Sequence, residues 1–139
     1  MRFFTIGYGG RPPSEFLDLL RRHGVRTVAD VRLRPDRASM GTYTRSRDAQ
    51  KGIAGLLGSA GIAYEPIVEL GNVFLDWADW RGPYRQLLEG AGDLLCARLD
   101  SLEAPFCLLC AEKRHADCHR TLIAEHLVAR RGWSVEHIE

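Results

Sequence analysis

Phe106-Cys107-Leu108-Leu109-Cys110, the polar stretch Ala111 to Asp117, and then Cys118-His119-Arg120 leading into Thr121 to Arg131 form the segment that decides the fold. Five continuous apolar residues bounded by polar ones read as a strand buried on both faces. Thr121 to Arg131 reads as an amphipathic helix, so the segment is strand, loop, helix, the repeating unit of a parallel α/β sheet. The loop also brings a thiol, an imidazole and a guanidinium to a helix start. Partial positive charge and unpaired N–H groups there favour a thiolate or a bound anion.

The same alternation runs outward in both directions. Phe3 to Gly7 is a short β-prone run ending in Tyr8-Gly9-Gly10. Pro12-Pro13-Ser14 then opens a helix with Phe16, Leu17, Leu19 and Leu20 on one face and Gly24 as its stop. Val25 to Val31 is a second buried strand, ending in Asp30-Val31-Arg32. Arg34 to Arg47 has no period and reads as a long functional loop. Asp48 to Ala60 shows helical spacing, and Ile62 to Val68 is a third strand that Pro66 weakens or moves to an edge. After the aromatic stretch around Trp77 and Trp80, helix is expected from Pro83 to about Leu102, with a break near Gly90-Ala91-Gly92. Trp133 to Ile138 is a candidate last strand. The order β-α-β-α-β-α-β-α-β predicts a three-layer α/β fold, Rossmann-like, with a mostly parallel sheet of about five strands and helices on both faces. Residues 1–139 contain no repeat, low-complexity tract or linker, which predicts a single domain.

Composition narrows the function classes. The chain has 139 residues, 45% hydrophobic and 27% charged, with a net charge of +1, so no bulk field draws it to nucleic acid. Of 19 basic residues only Lys51 and Lys113 are lysine. Arginine in place of lysine reflects base composition in the simpler reading, with which arginine-based anion recognition can coexist. No apolar run is long enough to span a bilayer, and the first residues lack the apolar core of a signal peptide. A cytoplasmic protein is expected, with no membrane partner and its four cysteines held as thiols.

In open parallel sheets, ligands bind outside the carboxyl ends of the strands. Those ends carry Tyr8-Gly9-Gly10, Asp30 with Arg32, Glu69-Leu70-Gly71-Asn72, and Cys110 with Glu112, and Cys118-His119-Arg120 returns along the same rim. Cys118 is the candidate nucleophile, with His119 or Asp30 for proton transfer. The alternatives for this group are anion binding without a covalent step, and packing. Glu112 is placed for acid/base work or for pairing with Arg120, and Tyr8 to donate its hydroxyl. Arg32, Arg120 and Arg34 are candidate anion ligands, and Gly9 and Gly10 would let a ligand approach the backbone. Asp30 and Arg32, two apart on a strand, face the same way and form either a structural ion pair or part of the site. Arg37, Arg45 and Arg47, with Tyr43 between them, could hold phosphates and stack a base.

Three motif readings are weaker. Gly7-Tyr8-Gly9-Gly10 lacks the third glycine of a dinucleotide fingerprint. A phosphatase-type loop on Cys110 would need arginine where Ala116 stands. Cys107 and Cys110, with Cys118 and His119 or His115, offer zinc-type ligands, but residues three apart on a strand point to opposite faces. No metal ligand set and no cofactor are assigned. Cys110 becomes a redox partner only if it lies beside Cys118.

Thr5-Ile6-Gly7-Tyr8, Asp30-Val31-Arg32 with Pro35, Tyr64 to Gly71, and Leu108-Leu109-Cys110-Ala111-Glu112 with Cys118-His119-Arg120 resemble the domain-of-unknown-function 488 family. The resemblance runs along almost the whole chain. Asn72 departs from it where a second glycine is expected, and the loop after Arg34 lacks the usual serine. What the resemblance implies is a compact α/β domain with a rim site; it supplies no reaction. The sequence-based expectation is therefore a small enzyme acting on a phosphate-bearing ligand, a nucleotide or nucleic-acid component. A non-catalytic nucleotide- or nucleic-acid-binding module using the arginine loop is the alternative, and a thiol-redox or metal-binding protein a further one.

Overall fold

The computed structural model describes residues 1–38 and 40–139; Ser39, inside the arginine-rich loop, lies outside the described residues. Strands β1 (Arg2–Gly7), β2 (Thr27–Asp30), β3 (Ala63–Pro66), β4 (Phe106–Cys110) and β5 (Ser134–Ile138) alternate with helices α1 (Pro13–Arg22), α2 (Gly52–Gly58), α3 (Arg81–Leu95) and α4 (Arg120–Arg131). The strands form one parallel sheet in the order β3-β2-β4-β1-β5. This is the expected three-layer α/β arrangement.

Period-two alternation along the strands divides the core in two. Phe3, Ala29, Phe106 and Leu108 face α3 and α4, where Tyr84, Leu88, Ile123 and Leu127 meet them. Phe4, Ile6, Val28, Cys107 and Leu109 face α1 and α2, against Phe16, Leu20, Ile53 and Leu57. The wound order follows from this division. β1, β2 and β3 step toward one edge with α1 and α2 on one face. The chain then returns through α3 to β4, between β2 and β1, and through α4 to β5 at the other edge. At the carboxyl ends the loops after β1 and β2 leave for one face and the loop after β4 for the other. A crevice opens where they part, the usual ligand position in such sheets.

Three expectations about element boundaries change. The helix expected over Asp48 to Ala60 is only Gly52–Gly58, because Asp48 folds its own neighbourhood into a turn. Its Oδ1 accepts the Gln50 N–H at 2.9 Å, and its carbonyl accepts the Lys51 N–H at 3.0 Å. The break expected near Gly90-Ala91-Gly92 is absent: α3 runs unbroken through it and ends at Leu95, before a 3₁₀ turn over Ala97–Ser101. The glycine serves helix–helix contact instead, since a Cβ on Gly92 would lie 2.5 Å from the His126 ring of α4. Pro66 ends β3, which is an edge strand as proline requires.

Candidate functional site

β4 brings Cys110 to the carboxyl end of the sheet, paired in register with Gly7. Cys107, three residues earlier, is buried in the core under α1 and α2, so the two thiols face opposite ways. The chain then makes a 3₁₀ turn over His115–Asp117 and enters α4 at Arg120. This return puts Cys118 and His119 beside Cys110. All three are buried, and the two sulfurs and an imidazole nitrogen lie within 4.8 Å of one another.

His119 is oriented by a backbone group. Its Nε2 lies 2.8 Å from the Val31 carbonyl oxygen, which can only accept, so Nε2 carries the proton and Nδ1 presents a lone pair. That nitrogen is 3.7 Å from Cys118 Sγ and 3.9 Å from Cys110 Sγ. The Tyr84 ring stands edge-on to the imidazole at 5.2 Å, and its hydroxyl donates to the Leu70 carbonyl at 2.6 Å.

The two thiols are not equivalent. The Arg120 backbone N–H, at the start of α4, donates to Cys118 Sγ at 3.5 Å. Burial works against a Cys118 thiolate, but the hydrogen bond from Cys110, the positive charge of Arg120 and the Arg120 N–H outweigh it and lower the thiol below its ordinary value. Cys110 is pushed well up, first by its interaction with Cys118 and second by burial. Cys107, in a wholly apolar setting, is raised by burial.

Across the crevice stands a buried ion pair. Arg32 Nε and Nη2 donate to the Asp30 carboxylate at 2.9 and 2.7 Å, and the Arg32 backbone N–H adds a bond at 3.1 Å. The Tyr64 hydroxyl donates to the same carboxylate at 2.6 Å. The guanidinium carbon sits 5.1 Å from the centre of the Tyr8 ring, which packs tilted against Tyr43. Burial disfavours the Arg32 charge, yet the hydrogen bond and charge of Asp30 raise its pKa above the ordinary arginine value. Among the described residues Arg32 Nη1 is buried without a partner, and so is Arg120 Nε.

Between these two groups lies a cavity of about 220 Å³, bordered by Tyr8, Arg32, Cys110, Cys118 and His119, with Arg34, Arg37, Glu112 and Asp117 at its polar parts and Leu75 and Trp80 at its apolar ones. Sites that enclose a whole drug-sized ligand run to roughly 300–1,000 Å³. This one suits a phosphate-sized group and the atoms next to it.

The structure therefore gathers Tyr8, Arg32, Arg34, Glu112, Cys118 and His119 at one cavity and adds Cys110. It separates the others. Arg120 points away: its guanidinium donates to the Glu112 and Lys113 carbonyl oxygens at 2.6 and 3.1 Å, holding the loop after β4, and it meets neither the cavity nor the Glu112 carboxylate. Asp30 does not border the cavity; its carboxylate is taken up by Arg32 and Tyr64. Gly9 is covered by protein rather than open to a ligand: its N–H donates to Ala111 O at 2.9 Å, and a Cβ would lie 2.7 Å from that oxygen. Gly10 forms an exposed turn with φ of 68° and does not border the cavity. Tyr43 is fully buried with its hydroxyl on the Arg11 carbonyl, so it offers no face to a base.

Sequence reasoning missed Tyr64 as the partner of Asp30, and Asp117 and Leu75 as cavity residues. Tyr64 and Leu75 reach the site through contacts distant in sequence, whereas Asp117, directly before Cys118, was read only as part of a polar loop. Among the described residues no helix is long and apolar enough to cross a membrane.

Fold and site together define a doubly wound parallel α/β protein with a buried dithiol–imidazole cluster at the sheet's carboxyl rim. The chain belongs to the family described as Domain of unknown function DUF488, whose signature matches residues 12–127. No curated protein and no solved structure matches it.

Proposed function

We propose that this protein is an enzyme acting on a small phosphate-bearing ligand, nucleotide-derived in the leading case, with Cys118 as its nucleophile. The observation that carries this reading is one cavity bordered by Arg32, whose buried Nη1 has no partner among the described residues, and by Cys118 and His119. A buried guanidinium nitrogen without an acceptor favours an anion that supplies one. Arg34 and Arg37 stand at the same opening and add charge. The bound group would then lie between the guanidinium and the sulfur.

The chemistry follows from His119. With its proton fixed on Nε2 by Val31, Nδ1 is free to take the Cys118 thiol proton and return it to a leaving group. Glu112 and Tyr8, on the cavity wall, are candidates for a second proton transfer. Asp30 acts through Arg32, holding the guanidinium in place.

Binding of inorganic phosphate and of a nucleoside monophosphate, followed by calorimetry, tests the reading. Arg32→Lys, which keeps the charge and loses the planar fork, should weaken binding about tenfold or more. Cys118→Ser should leave phosphate binding intact and abolish turnover in a phosphoester screen. Arg32-independent binding, or turnover that survives loss of Cys118, would end it. The non-catalytic nucleic-acid module predicts instead a steep loss of binding with salt and no dependence on Cys118. The burial of Tyr43 removes the stacking residue that alternative relied on.

A further inference from the structure

We propose that Cys110 Sγ, Cys118 Sγ and His119 Nδ1 form a binding site for a thiophilic divalent cation of the zinc type, with a fourth position open to the cavity. With Zn–S near 2.3 Å and Zn–N near 2.0–2.1 Å, a tetrahedral site has edges of about 3.8 Å between sulfurs and about 3.6 Å between sulfur and nitrogen. The two sulfur–nitrogen separations here are 3.7 and 3.9 Å, and all three donors lie within 4.8 Å of one another. The two sulfur–nitrogen edges already match such a tetrahedron, and the sulfurs lie within 4.8 Å of each other.

The surroundings fit a ligand set. Histidines that bind metal through one nitrogen commonly donate the other N–H to a carbonyl or carboxylate, which fixes ring and tautomer. Val31 O does this for His119 at 2.8 Å. The Arg120 N–H on Cys118 Sγ is a second outer contact, at 3.5 Å. Two thiolates cancel the charge of a divalent ion, and binding releases the thiol protons to solvent while Nδ1 has none to lose. The Arg120 guanidinium stays on the Glu112 and Lys113 carbonyls. Because all three ligands border the cavity, the open side faces it, as in sites that keep a position for water or substrate.

This site goes beyond the proposed reaction and constrains it. A bound ion takes the lone pairs that a nucleophilic Cys118 and a basic His119 require, so the metal-loaded protein would hold an anion but not attack it. Cys107, the thiol weighed and set aside in the sequence reading, takes no part, because it lies on the other face of β4.

The test is titration of the reduced, chelator-treated chain with cobalt(II), followed by displacement with zinc(II). The expected result is a thiolate-to-cobalt charge-transfer band and tetrahedral visible bands that saturate at one ion per chain. Cys110→Ser, Cys118→Ser and His119→Ala should each weaken binding beyond the roughly 10–100-fold that loss of an outer contact costs. Cys96→Ser should leave it unchanged. In the wild type, zinc should displace protons into a weakly buffered solution, a readout that needs no variant to fold. Absence of the charge-transfer band, unchanged intensity and affinity in both cysteine variants, its loss in Cys96→Ser, or zinc binding without proton release would each overturn the site. Phosphate binding to the metal-free protein is measured separately, so failure of the ion site and failure of the anion reading are distinguishable.

Discussion

The two faces of β4 carry the same residue type to different ends. Cys107 lies among Phe4, Ile6 and Leu109 in a sealed apolar core, where burial raises its thiol and leaves it inert. Cys110, three residues on, faces the other layer at the point where the sheet stops and the loops part, and it meets a second thiol and an imidazole. A thiol does not define a site; the break in the apolar layer around it does. The rim's two buried arginines also differ in what they hold: the Arg120 guanidinium binds backbone carbonyls and fixes a loop, whereas Arg32 pairs with Asp30 and borders the cavity.

The strongest test of that contrast is Asp30→Asn. If the rim depends on compensated buried charge, leaving the Arg32 guanidinium without its carboxylate should cost about 3–5 kcal/mol in urea unfolding. A change under about 1 kcal/mol would mean that solvent reaches the pair. Tyr64→Phe removes one charge-assisted bond while the ion pair survives, and should cost about 1.5–3 kcal/mol by the same measurement.

Paired substitutions on β4 sharpen the comparison directly. Cys107→Ser buries a hydroxyl with no side-chain partner and should cost about 1–3 kcal/mol. Cys110→Ser, whose hydroxyl keeps Cys118 and His119 as partners, should cost less than about 1 kcal/mol. Equal costs would show that the two faces are alike and erase the distinction.

The smallest effect concerns pH. Burial first, then the positive charges of His115 and Arg120, lower His137 from 6.5 to about 4. A histidine held neutral in the fold contributes stability that is fully present above its unfolded value. That stability is lost as pH falls from 6.5 toward 4, because the unfolded chain takes up its proton first. Denaturation at neutral pH and at mildly acid pH should show this loss in the wild type and a shallower one in His137→Gln. The ring is partly exposed, so solvent screening keeps the difference modest.

Much of the architecture was legible because it is written in short periods. Five residues of Phe106 to Cys110 made a two-sided strand, and alternation alone set Cys107 against Cys110. Single helices between strands predicted the parallel sheet, and Pro66 pointed to an edge. Local errors arose where another interaction overrode a local cue. Asp48 turned the chain before α2 could start, and Gly92 was kept for contact with His126 rather than for a break.

At the rim, residue types on the strand ends identified Tyr8, Arg32, Cys118 and His119 as candidates, since parallel connectivity sends those ends to one side. Which atoms meet was decided elsewhere. The Val31 carbonyl on His119, Tyr64 on Asp30, the Ala111 backbone over Gly9 and the turn of Arg120 toward the loop join residues far apart in the chain or in direction. The sequence by itself determined the layers, the strand direction and the rim, because these follow from local periodicity and from the handed packing of strand and helix. Only the tertiary structure decided that Cys110 joins Cys118 and His119 while Arg120 withdraws, because hydrogen-bond partners are chosen by the strand order, which no local pattern encodes.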